Sequence, residues 1–171
     1  ADACTCVVGA PVCDTFWKTD VVFAGEVLEI APIPNPSGRQ FMAHKRVRFR
    51  VDQSWRGAVE GTVEITTGAG GGDCGYGFEK GERYLVYASA RDGGLSTSIC
   101  SRTRPLARAS DDLDYLKTAL RPSATGRVFG VVRYHQDRGP RAPDRFAAGY
   151  TVRLSAGDRR WTATTGPDGR Y

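Results

Sequence analysis

The sequence predicts an all-β protein with short helices. Three observations carry this expectation. Glycine is abundant, 21 in 171 residues, so the chain must turn often. Val47, Phe49 and Val51 alternate with Arg46, Arg48, Arg50 and Asp52, the period of two that marks a half-buried strand. Helical spacing is brief, confined to a short turn near the start and to one stretch ending at Leu120. Hydrophobic residues at 40% and charged residues at 25% give an ordinary globular balance and exclude wholesale disorder. No apolar run approaches the roughly 18 residues of a membrane helix, so no membrane span is expected.

The elements follow in order. Cys4 to Pro11 reads as an extended, turn-rich arm, and Pro11 opens a helical turn with Cys13, Phe16 and Trp17 on one face. Asp20–Ile30 reads as a strand with a bulge or bend at Gly25. Ala31–Gln40, with three prolines and a glycine, is expected to be a loop. Strands are then expected at Phe41–Trp55, Thr62–Thr67, Arg83–Ala90 and Leu95–Cys100. Gly68–Gly72 is a glycine loop that delivers Cys74; it lacks the GK[ST] ending and the following helix of a phosphate cradle. Ser110 is expected to cap the helix Asp111–Leu120, with Leu113, Leu116 and Leu120 on one stripe and the acids facing the helix dipole.

Five strands, a helix at each end and a tethered arm point to a small OB-type five-stranded β-barrel over residues 1–120. Arg121–Gly126 breaks the helix and is the expected linker. Beyond it, Arg127–Tyr134, Tyr150–Leu154 and Trp161–Thr165 read as strands, and a turn at Gly166–Gly169 leads toward another. Three strands and a stub over residues 127–171 suggest a partial, truncated β-sandwich.

The net charge is +5, and its location matters. Residues 1–125 carry 15 Lys+Arg and 15 Asp+Glu, while residues 126–171 carry nine Arg and four Asp. The main body therefore has no net positive field. A nucleic-acid partner is not expected, and the arginines read as solvated strand faces.

The five cysteines are Cys4, Cys6, Cys13, Cys74 and Cys100. One CxC and two isolated partners do not make the paired spacing of a zinc site, and neither His44 nor His135 lies near a cysteine. The pattern fits two long-range disulfides that anchor the N-terminal arm, with Cys13 left over as a buried thiol or one paired outside the chain. Disulfides imply an oxidising compartment, so the protein is expected to be secreted or extracellular, or else periplasmic or at the cell surface. Ala1-Asp2-Ala3 has the A-x-A form of a signal-peptidase site, so either Cys4 is the mature first residue or Ala1 is itself the processed start.

Cys4-Thr5-Cys6-Val7 resembles the N-terminus of the tissue inhibitors of metalloproteinases, within the wider netrin-like module family. Cys13 in an early helical region, Asp20–Gly25, Asp73–Ala88 and Ile99–Thr103 extend the likeness, the last two resembling bacterial members. The resemblance covers residues 4–120 and implies an OB-type barrel with bridges Cys4–Cys74 and Cys6–Cys100. The third family cysteine has a partner late in the barrel domain; this chain has no cysteine after Cys100. Residues 126–171 resemble the start of a carboxypeptidase regulatory-like domain, an Ig-like sandwich, through Gly126–Val131 and Thr165–Tyr171.

The inhibitor resemblance implies a specific chemistry. A protease zinc keeps one coordination position open. A free N-terminal cysteine offers an α-amine and its own carbonyl in a five-membered chelate ring, and an amine of pKa near 8 yields its proton to a metal at pH 7. Cys4 would then bind the target's zinc, with no metal or cofactor of the chain's own. Thr5 would enter the specificity pocket, Cys6 would fix the arm, Val7 would fill unprimed subsites, and Gly72 and Asp73 would widen the contact. An amide at Cys4 could not serve, so the mechanism requires Cys4 to be the first residue.

The alternative reading is a non-inhibitory extracellular adhesion or scaffolding module, in which the CxC only staples the arm. No enzymatic constellation stands out: G-x-S-x-G and H-E-x-x-H are both absent. The protein is expected not to be an enzyme, and its partner to be a zinc metalloproteinase or another extracellular protein.

Overall fold

A computed structural model gives the fold and describes residues 4, 6, 10–34, 44–70, 72–121, 128–134 and 145–171. The fold is all-β with short helices. The chain divides into two compact units, Ala1–Arg121 and Pro122–Tyr171. The expected linker positions 122–126 lie outside the described residues.

The first unit holds helix α1 (Val12–Lys18), strands β1 (Val21–Ile33), β2 (His44–Arg56), β3 (Thr62–Gly68), β4 (Arg83–Arg91), β5 (Gly94–Ser96) and β6 (Arg104–Pro105), and helix α2 (Ser110–Ala119). The sheet is largely closed. β1 pairs with β2, β2 with β3, β3 with β5, β5 with β4, and β4 returns to β1. Every pairing is antiparallel except β3–β5.

Strand β1 explains the closure. Its first half pairs on both sides, Val21–Glu26 with β4 and Val22–Ile33 with β2. Strands covered on both faces lose the polar alternation, and Val21, Val22, Phe23 and Ala24 are all buried. Their side chains serve two cores. Val21, Phe23 and Val27 pack with Val47, Phe49, Ile65, Tyr84, Val86 and Ala88. Val22 turns the other way, with Leu85 and Tyr87, against Phe16 of α1, Ala109 just before α2 and Leu116 of α2. The period of two in β4 thus sorts Tyr84, Val86 and Ala88 from Leu85 and Tyr87. Gly25 sits at a register shift, and a Cβ there would lie 2.6 Å from the Arg50 carbonyl oxygen.

The β2 alternation holds as expected. Val47 and Phe49 are buried, while Arg46, Arg48 and Arg50 pair outside with Glu64, Glu29 and Glu26. Such exposed pairs each contribute less than about 1 kcal/mol.

Several expectations need correction. β1 runs through Ala31–Ile33, because pairing with Arg46, Lys45 and His44 outweighs the proline in that stretch. β5 stops at Ser96, because Thr97 onward is fastened by hydroxyls instead of a ladder. β6 was not anticipated; two residues carry no periodic signal. In α1, Phe16 is buried but Trp17 and Cys13 face solvent, since only the i, i+4 pair Val12–Phe16 points inward. In α2, Ala109 occupies the N-cap position with no side-chain cap, and Leu120 lies past the helix, exposed.

The second unit has strands β7 (Arg133–Tyr134), β8 (Arg145–Phe146), β9 (Thr151–Ala156) and β10 (Arg159–Thr164). β7 pairs with β8 and β9 with β10, each antiparallel. Arg127 lies outside the described residues; among the described ones, the expected strand Arg127–Tyr134 is reduced to an isolated bridge, Val131 to Arg170, and the two residues of β7. The backbones of Gly130 and Tyr171 exchange two hydrogen bonds of 3.1 Å, which sets these two residues side by side. Thr165 is buried, its hydroxyl donating to the Ala147 carbonyl and accepting from the Tyr150 N–H.

Candidate functional site

The cysteine spacing resolves into two disulfides, Cys4–Cys74 and Cys6–Cys100, with Cα separations of 5.3 and 5.1 Å. They tie the arm to two loops, one between β3 and β4 and one after β5. The loops are joined to each other, since Ile99 N–H donates to the Cys74 carbonyl at 2.9 Å. The bridges also touch, with Cys4 Sγ 3.9 Å from Cys100 Sγ. Sulfurs of Cys4, Cys6 and Cys100 therefore cluster within 4.8 Å, a proximity that two adjacent disulfides explain. Cys13 is a free, exposed thiol on α1, which corrects the buried alternative and leaves pairing outside the chain open.

The Cys74 loop is built around Asp73. Its carboxylate accepts from Ala69 N–H at 2.7 Å and from Gly70 and Gly75 N–H at 3.0 Å each. Partial burial pushes this carboxyl up. The N–H donors of Gly75, Ala69 and Gly70 outweigh that and hold it below its ordinary value. Glycine is needed here for close approach: a Cβ on Gly75 would lie 2.2 Å from the Gly68 carbonyl oxygen. Cys74 itself takes a left-handed φ of 58°, which this packing imposes on a non-glycine residue.

The Cys100 loop is held by hydroxyls. Thr97 and Thr103 Oγ1 both donate to the Tyr87 carbonyl, at 2.8 and 3.2 Å, and lie 2.8 Å apart. Thr103 Oγ1 also accepts from Tyr87 N–H at 3.0 Å. Ser101 Oγ donates to the Ser98 carbonyl at 2.8 Å. A short irregular segment thereby satisfies its polar groups without a ladder.

Beneath the arm lies a charged cluster that the sequence reading missed. Asp112 is fully buried. It accepts from Arg102 Nε and Nη2 at 2.8 and 2.9 Å and from the Tyr87 hydroxyl at 2.8 Å, and Arg104 Nη1 is 3.5 Å away. Burial first, then the Asp112 charge, pushes the Tyr87 phenol far up. The hydrogen bond to Asp112 raises Arg102. The remaining fork atom, Arg102 Nη1, donates to the Ala10 carbonyl at 2.9 Å, at the end of the arm. The sequence assigned Asp112 to the helix dipole with Asp111 and Asp114. The overlooked signal was its spacing, four residues before Leu116 on the stripe that α2 buries.

Of the expected site residues, Cys4, Cys6 and Asp73 are half-buried and Gly72 is exposed, with Cys4 brought beside Asp73 through Cys74. Asp73 turns its carboxylate into its own loop. Thr5 and Val7 lie outside the described residues, as does His135; His44 is exposed at the start of β2. No described helix is long and apolar enough to cross a membrane. No protein-family model and no curated protein matches the chain.

Proposed function

We propose that this is a secreted inhibitor of zinc metalloproteinases, acting in the form that begins at Cys4. The α-amine and carbonyl of Cys4 would chelate the target's zinc, with Thr5 entering the adjoining pocket and Val7, Gly72 and Asp73 extending the contact. The supporting observation is the double tether of the Cys4–Cys6 segment to two hydrogen-bonded loops. A ligand held this way loses little conformational freedom on binding, which lowers the cost of association.

The experiment blocks the amine and spares the fold. Acetylating the Cys4 α-amine in a Cys4-start protein should abolish inhibition and leave circular dichroism unchanged. Undiminished inhibition after acetylation would overturn the chelation reading.

A second reading is an extracellular adhesion or scaffolding module. It draws on the separate second unit, where Arg153, Arg159 and Arg160 are exposed. Binding to an extracellular partner by the second unit, with no protease inhibited in a broad panel, would favour it.

A further inference from the structure

We infer that Arg102 is a positioning residue for the arm. It is a third fastening, beside the two disulfides, that holds the chain at Ala10, just before α1. As a role in binding, this rests on the inhibitor reading above; as a mechanical role, it stands on geometry alone.

The geometry is that of one loop holding two points of the arm. Cys100 bonds Cys6, and two residues later Arg102 Nη1 bonds the Ala10 carbonyl at 2.9 Å. Pro11 follows at once and α1 begins at Val12, so Ala10 is where the arm ends. The far end of α1 is held by another arginine: Arg56 donates to the Trp17 and Thr19 carbonyls and lies over the Phe16 and Trp17 rings.

The residue type matters. Arg102 uses Nε and Nη2 on the two Asp112 oxygens and Nη1 on Ala10, three donors of one rigid plane. A lysine could keep a charge near Asp112 but could not span both partners. Ion pairing for Asp112 is also supplied by Arg104 at 3.5 Å. Asp112 in turn is anchored by Tyr87, so Ala10 is referred to the core through three hydrogen bonds in series.

Hydrogen exchange on the full chain tests this. Arg102→Lys should speed exchange of the Cys4–Ala10 peptide at least fivefold and leave peptides from α2 and β4 within twofold of wild type. If Arg102→Lys does not fold, the pair Arg102→Met with Asp112→Leu removes both charges together, a change that buried ion pairs often tolerate. The same local loosening is expected. Unchanged arm exchange, or loosening spread equally through α2 and β4, would overturn the assignment. In the Cys4-start form, Arg102→Lys should also weaken inhibition about tenfold. If the wild-type form inhibits nothing, exchange still decides the mechanical role, and only the inhibitor reading fails.

Discussion

Replacing Asp112 by Asn probes the largest concentration of buried charge in the described structure. The carboxylate is fully buried and the Arg102 side chain 18% exposed. The amide keeps the volume but removes the charge. It also turns one acceptor into a donor aimed at Arg102 or the Tyr87 hydroxyl, which already donate there. Breaking a buried pair from one side costs about 3–5 kcal/mol, because the partner charge is left uncompensated. A domain of this size has about 5–15 kcal/mol in total, so roughly a fifth or more of its stability is at stake. The expected fall in Tm is about 10–20 °C. Thermal melts read the fall in Tm, and urea unfolding followed by tryptophan fluorescence reads the loss of free energy. The control is Asp114→Asn, which removes an exposed pair with Lys117 and should change stability by less than about 0.5 kcal/mol. A loss below about 1 kcal/mol for Asp112→Asn would refute the reasoning, since it would mean that water reaches the pair.

Four further outcomes are expected. Gly75→Ala should destabilise by about 1–3 kcal/mol through collision with the Gly68 carbonyl, while Gly77→Ala, which meets nothing within 4 Å, should be nearly neutral in the same melts. The Asp73 carboxyl is depressed, so its contribution is present above about pH 4 and is lost as pH falls through the folded value. Exchange of the Ala69 and Gly70 amides should therefore quicken in acid, beyond the intrinsic pH dependence, in wild type and not in Asp73→Asn. Burial raises the Tyr76, Tyr84 and Tyr87 phenols, so their stabilisation is present below about pH 10 and fades as pH rises past it toward the folded values. Absorbance at alkaline pH should show these tyrosines ionising late and together with unfolding. Non-reducing peptide mapping should return Cys4–Cys74 and Cys6–Cys100, with Cys13 alkylated in the native protein; a Cys13–Cys74 or Cys13–Cys100 bridge would contradict this connectivity.

The sheet was legible because its signals are local. Val47–Val51 alternates over consecutive residues, and Gly25 and the CxC announce a bulge and a tether without tertiary information. The missed features depend on rotation about a helix axis and on distant partners. Trp17 and Phe16 look equally apolar in sequence, yet one turn of α1 can bury only one of them, and Arg56, 39 positions away, stacks over both. Asp112 looks like its acidic neighbours until Arg102, Arg104 and Tyr87 converge on it from other segments. Asp73 reads in sequence as part of an outward contact beside Cys74, because its actual partners are backbone N–H groups that any residue could carry.

The most direct test of the account compares two forms of the chain, one beginning at Ala1 and one at Cys4, against a panel of zinc endopeptidases under oxidising conditions. The free α-amine of Cys4 is a metal ligand, whereas the peptide nitrogen between Ala3 and Cys4 is not. The account predicts that the Cys4 form inhibits at least one enzyme of the panel and that the Ala1 form inhibits it at least a hundredfold more weakly. Equal inhibition by the two forms, or none by either, would contradict it.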